Sequence, residues 1–303
     1  VNSKQKAHAA VLAANLIFGA NYSIVKYVTP GFVKPFALNV VRIVVSVALL
    51  WSLYLMKPSS PGIQRRHVGR FVLCAITGVA LNQLLFIKGL SLTTSIHAAL
   101  LTLASPIFIT LIAAWLLKEG LGIYKIGGLL MGVAGALLLL AVKESSGDAA
   151  NILLGDVYIL VNAISYAFYM VLVRPLMQEY RPVHVIRWVF TIGMFMIVPF
   201  GFTEFFETNW ATLTTPAWVS LAFVVVGATF IAYLFNIYGI KELGASATGT
   251  YIYTQPLFAA LVAIFFLGEE FTLKKLAAAV LIFTGVYLVN ITRKKNGEAQ
   301  PKS

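Results

Sequence analysis

Charge is what this chain has least of. Only 11% of its 303 residues are charged, and just 11 are Asp or Glu. A soluble domain carries roughly 25% charged residues, so this chain cannot cover itself with a solvated surface. Its mean hydropathy of +0.86 places it in a bilayer. A single cysteine, Cys74, lies inside an apolar run, which excludes an intrachain disulfide and a thiolate metal cluster. No GxxxxGK[ST] phosphate loop occurs, so ATP-driven transport by this chain alone is disfavoured. Neither HExxH nor an aspartate pair is present to arm an intramembrane protease. No carboxylate falls mid-span: Asp148, Asp156 and the glutamates lie in loops or at span ends. A carrier of polyamines or other strong cations needs a buried acid, as does a proton antiporter of the carboxylate type. Neutral, zwitterionic or anionic cargo is therefore favoured, with no cofactor and no metal.

What the chain has is apolar length. Ten runs of roughly helix-spanning size follow one another from His8–Val28 to Leu273–Ile291. Turn residues separate them: Pro30 and Pro35, then Pro58 to Gly62, then Ser145, Ser146 and Gly147 at the middle of the chain. The expected fold is an all-α integral membrane protein, with little chain left over for a soluble catalytic domain. The net charge of +12 does not signal nucleic acid, because the basic residues sit in loops between spans. Most of the 23 Lys and Arg fall in the segments that share a membrane face with the amino terminus, which predicts both termini in the cytoplasm of a cell's inner (plasma) membrane.

The second half of the chain repeats the first. SPIFITLIAAWLLKEGLGIYKIGGLLMGVAGALLLL from Ser105 returns without a gap as QPLFAALVAIFFLGEEFTLKKLAAAVLIFTGVYLV from Gln255. Pro106 falls on Pro256, Phe108 on Phe258, Leu117 on Leu267, Glu119 on Glu269, Lys125 on Lys275 and Gly135 on Gly285. More faintly, Asn15 and Tyr22 match Asn162 and Tyr169, and Arg42 matches Arg187. This divides the chain into residues 1–148, residues 149–295 and a polar tail, 296–303. Five spans per half is an odd number, so the second half must enter the membrane from the opposite side. Ten transmembrane helices as two inverted five-helix repeats are predicted, an arrangement in which the halves exchange roles around a central path.

The NLIFGANY-type first helix, Arg42 in the second and the Pro106…Lys118-Glu119…Gly135 block, each echoed in the other half, carry a resemblance. The chain is similar to the drug/metabolite transporter superfamily, specifically its EamA-type ten-helix members. That resemblance implies an inner-membrane carrier of small metabolites or drugs, often outward, through a cavity lined by the first four helices of each repeat.

Amides, hydroxyls and phenols at membrane depth need a neighbouring helix or a wet cavity. The candidates for lining a substrate path are Asn15, Asn21, Tyr22, Asn82, Gln83, Thr102, Ser105, Tyr166, Tyr169, Tyr233, Asn236, Thr250 and Tyr253. Intramembrane arginines cost about 3 kcal/mol on insertion scales; Arg42 and Arg187 either hold an anion or serve as gate and helix contacts, and their mirrored placement favours the second. Pro106 and Pro256 each remove a helix hydrogen bond mid-span, as a packing bend or as a source of free carbonyls for a ligand. Glu119 and Glu269 read as caps, lysine pairs or gating contacts. His97 is a packing histidine or a proton-coupling group. Gly128, Gly132 and Gly135 permit close helix approach, within a monomer or across a homodimer. The rivals to a carrier are an intramembrane enzyme acting on lipid-like substrates and a non-transporting receptor.

Overall fold

The computed structural model describes residues 3–56, 62–118, 122–141, 151–243, 248 and 251–297. Ten helical columns succeed one another among them, and no strand occurs there. They are α1 Ser3–Val28, α2 Pro35–Met56, α3 Arg65–Leu92, α4 Ser95–Leu116, α5 Ile123–Leu140, α6 Ile152–Glu179, α7 Pro182–Glu207, α8 215–243, α9 Tyr251–Leu267 and α10 Leu273–Gly297. Of these, α1 to α8 are long and apolar enough to cross a membrane, and α9 is apolar but shorter. The protein is an all-α, multi-pass membrane protein. Its outer surface is apolar, as lipid requires: Phe195, Phe265 and Phe266 are 71%, 78% and 81% exposed. Small and polar residues such as Ala14, Asn15, Asn39, Ala163 and Ser165 are buried instead. This is the inversion expected where lipid tails offer helices no hydrophobic reason to associate.

Helix contacts run mostly between the two halves. The main pairings are α5 with α10, α2 with α7, α3 with α6, α1 with α8, α1 with α9 and α4 with α6. Exchanging α1–α5 with α6–α10 leaves this set unchanged, because α3·α6 becomes α8·α1 and α4·α6 becomes α9·α1. Side chains fix the directions. Ser3 at the start of α1 meets Glu242 at the end of α8. Lys26 near the end of α1 reaches Thr93, which joins α3 to α4, and Thr93 meets Asp156 at the start of α6. Taking the end of the bundle where α1 begins as near and the other as far, α1 runs near to far and α6 far to near.

Glycine sets the closest crossings. A Cβ on Gly285 of α10 would lie 2.5 Å from the Gly128 carbonyl and 2.7 Å from the Gly132 amide of α5. The GxxxG face is therefore used inside the chain. Gly89 of α3 and Gly155 of α6 form a second such crossing, each Cβ falling within 2.9 Å of the other's carbonyl.

Two columns break where the prolines stand. In α4, helix Ser95–Thr102 ends and helix Ser105–Leu117 begins, with Pro106 in its first turn. In α9, a 3₁₀ turn Tyr251–Thr254 precedes helix Gln255–Leu267, opened by Pro256. The prolines thus start second helical pieces and do not bend continuous ones. Two other columns carry π-helical segments, Ile76–Ala80 in α3 and Phe223–Ile231 in α8.

Leucine at position 285 must push α10 off α5. Overpacking of this kind costs about 1–3 kcal/mol, so Gly285→Leu is expected to lower the melting temperature in detergent and the monodisperse fraction. Gly127, whose Cβ direction meets nothing within 4 Å, tolerates the same change; equal melting of the two variants would refute the crossing.

Candidate functional site

The polar residues gather in three places along the interface between the halves. At mid-bundle, amides and hydroxyls bridge helices. Asn162 Nδ2 on α6 donates to the Asn82 carbonyl of α3 at 2.6 Å, and Ser165 Oγ donates to the Thr77 carbonyl at 2.7 Å. Both acceptors lie in or next to the π-helical segment of α3, where the backbone ladder is loosened. On the α1–α9 side, Asn15 Nδ2 donates to the Val11 carbonyl at 2.8 Å, and its Oδ1 accepts from Gln255 Nε2 at 2.8 Å. Asn39 Nδ2 on α2 donates to the Gln83 carbonyl at 3.2 Å. Asn82 and Gln83 therefore contribute carbonyls to these bridges, while their side chains stay half-buried.

Tyr22 is buried and packs edge-on against Phe86, with ring centroids 5.5 Å apart. Tyr166 and Tyr169 sit 6.1 Å apart, and Tyr169 lies against Gly78. Asn21 is buried with its Oδ1 unpartnered. Asn236 and Tyr253 are half-buried. Thr250, Glu119 and the side chain of Tyr233 lie outside the described residues.

The break in α4 does not present a free acceptor. Pro106 leaves the Thr102 carbonyl without its helical donor, and Ser105 Oγ donates to that oxygen at 2.6 Å instead. Thr102 Oγ1 is turned back onto the Ala98 carbonyl at 2.7 Å. Of the two readings of Pro106, a packing bend or a source of free carbonyls, the second is not favoured: the serine before the proline covers the carbonyl that the proline orphans.

At the far end, a buried knot ties the halves together. Asp156, Thr93 and His97 are each fully buried. The Asp156 carboxylate accepts from Thr93 Oγ1 on one oxygen and lies 2.8 Å from His97 Nδ1 on the other. An ionised carboxylate only accepts, so opposite one Nδ1 is the donor. Lys26 Nζ donates to the Thr93 carbonyl at 2.6 Å. The reading of Asp156 as a span-end acid missed this. Its position one turn into α6, beside Gly155, brings it under α4, and its oxygens are occupied by Thr93 and His97.

Glu269, in the α9–α10 turn, accepts from the Ser95 and Ile96 amides at 2.7 and 3.1 Å, and Thr94 Oγ1 accepts from the His97 amide. Three of the four open N–H groups at the start of α4 are thus capped, two of them by the opposite half. Glu269 serves as a cap across the interface. Glu204 of α7 does the same for α2, accepting from the Phe36 and Ala37 amides at 2.7 and 3.2 Å. Beside it, the hydrogen bond and charge of Glu207 raise the pKa of Lys34 above the usual lysine value.

At the near end three cross-half contacts are exposed, Ser3 with Glu242, His8 with Tyr251, and Arg66 with Glu179, and one, His67 Nδ1 with the Tyr180 hydroxyl at 2.8 Å, is half-buried. An exposed ion pair such as Arg66–Glu179, or Lys34–Glu207 at the far end, contributes about 0–1 kcal/mol.

The two arginines differ. Arg187 is buried with its Cζ 3.9 Å from the Tyr54 ring centre and 4.9 Å from that of Trp51. Its Nη2 donates to His184 Nδ1 at 2.9 Å. Arg42 has no such cage; its Nε and Nη1 are buried without a partner.

The class this defines is a multi-pass helical membrane protein whose two halves join through polar contacts. The chain belongs to the EamA-like transporter family, which it matches twice, over residues 5–141 and 153–291. It is 21% identical to the uncharacterized transporter YetK of Bacillus subtilis (strain 168), over 99% of this chain and 91% of that protein. It is 25% identical to an uncharacterized transporter of Archaeoglobus fulgidus over 93% and 96% of the two chains. The Arabidopsis thaliana protein WALLS ARE THIN 1 is 25% identical over 95% and 83%. One solved crystal structure superposes with a TM-score of 0.61 over 96% of this chain and 98% of its own, at 17% identity, a likeness of fold.

Removing the Glu269 carboxylate strips two amides of their cap. Losing a single cap costs about 1 kcal/mol, so Glu269→Ala is expected to accelerate hydrogen exchange over residues 95–102 while leaving α2 unchanged. Unaltered exchange there would remove Glu269 from the interface.

Proposed function

We propose that this protein is a secondary transporter of small organic metabolites, amino-acid-like solutes or drugs, working in the direction of export across a cell's inner membrane. The observation that carries the reading is a helix-packing scheme preserved when the halves are exchanged, with α1 and α6 running in opposite directions. It supports two inverted repeats, residues 1–148 and 149–295, related by pseudo-symmetry. Such halves alternate between two openings by rocking about the polar groups between them. The near end, where α1 begins, is then cytoplasmic, and the structure is a state closed at the extracytoplasmic end by Asp156–His97, Glu269 and Glu204. Opening that end requires these contacts to part while the near-end contacts form or persist.

The His97–Asp156 pair is the coupling element of this scheme. A proton passed by His97 to the Asp156 carboxylate removes the charge that His97 and Thr93 hold, which weakens the tie between α4 and α6 and so favours opening at the far end. The test is counterflow in proteoliposomes with a panel of amino acids, organic acids and drugs. Protein-dependent exchange is expected, accelerated by an imposed pH gradient in the wild type and no longer accelerated in His97→Gln. Absence of exchange across the whole panel would defeat the transport reading. Exchange equally gradient-sensitive in His97→Gln would defeat the coupling role alone.

A further inference from the structure

Arg42 poses a charge problem that the bundle does not solve. A guanidinium keeps its proton in proteins, and donors of a charged group buried without a partner are destabilising; Arg42 as a whole is half-buried. Arg42 Nε and Nη1 are both buried with no hydrogen-bond partner, and none of the ion pairs among the described residues includes Arg42. Its counterpart Arg187 also keeps an unpartnered Nε, but its charge is held by two aromatic faces and a histidine. A purely architectural arginine at position 42 would be expected to have an equivalent cage.

Helical geometry gives Arg42 its surroundings. Positions 42, 46, 50 and 53 share one face of α2. Ser46, Leu50 and Leu53 line a cavity of about 30 Å³ together with Ile186 and Phe190 of α7 and Thr229 and Phe230 of α8. The wall from α8 is its π-helical segment. Ser46 Oγ is bonded to the Arg42 carbonyl and Thr229 Oγ1 to the Val224 carbonyl. Both hydroxyls can be redirected to a ligand. The lining is uncharged: Arg42 stands one helical turn from Ser46, outside the residues that line the cavity. In this closed state it has room for about one water, and a larger guest requires α8 to move away from α2.

We infer that Arg42 is the anion-binding group of the transport path and that the cargo presents a single carboxylate to it. The inference rests on the transport reading above and narrows its substrate class. One guanidinium balances one negative charge; a dianionic phosphate at this place would leave a net charge uncompensated. A planar carboxylate matches the two adjacent donors, Nε and one Nη, in a bidentate pair. Until cargo arrives, the arginine is held in an unfavourable setting, which favours binding of the anion.

The experiment is counterflow in proteoliposomes with pyruvate, benzoate, alanine and leucine, each against its neutral amide or, for the amino acids, its cationic amide. Melting temperatures are taken in detergent with and without the same solutes. Carboxylates are expected to exchange at least tenfold faster than the amides, and Arg42→Met to lose that exchange while Arg42→Lys keeps part of it. Arg42→Met is expected to melt at or above the wild-type temperature, since it deletes buried donors without a partner; a structural arginine would lower it. Amides moving as fast as acids, or acids moving unchanged in Arg42→Met, would overturn the inference and leave the transporter standing. Should no solute exchange, the transport reading falls and the melting data decide anion binding. An acid-specific rise in the wild type that is lost in Arg42→Met upholds it, and its absence overturns it.

Discussion

A backbone or side-chain polar group taken out of water must find its partner within the protein, and in this bundle several of the partners that join one helix to another come from the other half of the chain. Asn162 and Ser165 reach carbonyls of α3, Gln255 reaches Asn15, and Glu269 and Glu204 cap helices that begin in the first half. Neither half can satisfy itself alone. The duplication is therefore more than a record of ancestry, because each copy supplies what the other leaves open. The small residues follow from the same demand. Hydrogen bonds of 2.6–2.8 Å between helix bodies require backbones to approach closely, and the Gly89–Gly155 crossing brings α3 and α6 near enough for the Asn162 and Ser165 bridges to form.

The two ends of the bundle differ in the way this demand is met. The far end uses the buried Asp156 carboxylate on a hydroxyl and an imidazole, and the half-buried Glu204 and Glu269 carboxylates on amides; the near end uses a half-buried imidazole–phenol contact and exposed pairs. Burial strengthens a contact by lowering the local dielectric and raises the cost of parting it. The deepest tie between the halves is therefore the one made by Asp156.

Much of the fold was legible in the sequence because a bilayer leaves few options. Apolar length gives the helices, and the Pro106/Pro256, Glu119/Glu269 and Gly135/Gly285 correspondences gave the repeat. The site was less legible. Asn15, Arg42, Arg187 and Glu269 were identifiable as polar residues in or beside apolar runs, but their partners were not. Asp156 was passed over because an acid four residues into a helix looks solvated until the crossing above it is known. Asn39 was missed although it stands three residues before Arg42, on the same face of α2. The aromatic cage of Arg187 depends on Trp51 and Tyr54 from another helix, a meeting no local pattern encodes. The prolines were read as kinks in continuous helices, whereas the serine next to Pro106 decides what becomes of the orphaned carbonyl.

That serine has a mechanical consequence. Helix Ser95–Thr102 is joined to α6 and to the α9–α10 turn through His97 and Glu269, whereas helix Ser105–Leu117 packs on α6 through apolar side chains such as Ile112 and Ala113. Across the joint, the carbonyl of Thr102 is held by a side-chain hydroxyl, a bond with a net worth of about 1 kcal/mol, which is close to thermal energy. The column can therefore flex as two rigid rods about a soft pivot, and strain applied at one mouth of the bundle need not be transmitted along its whole length.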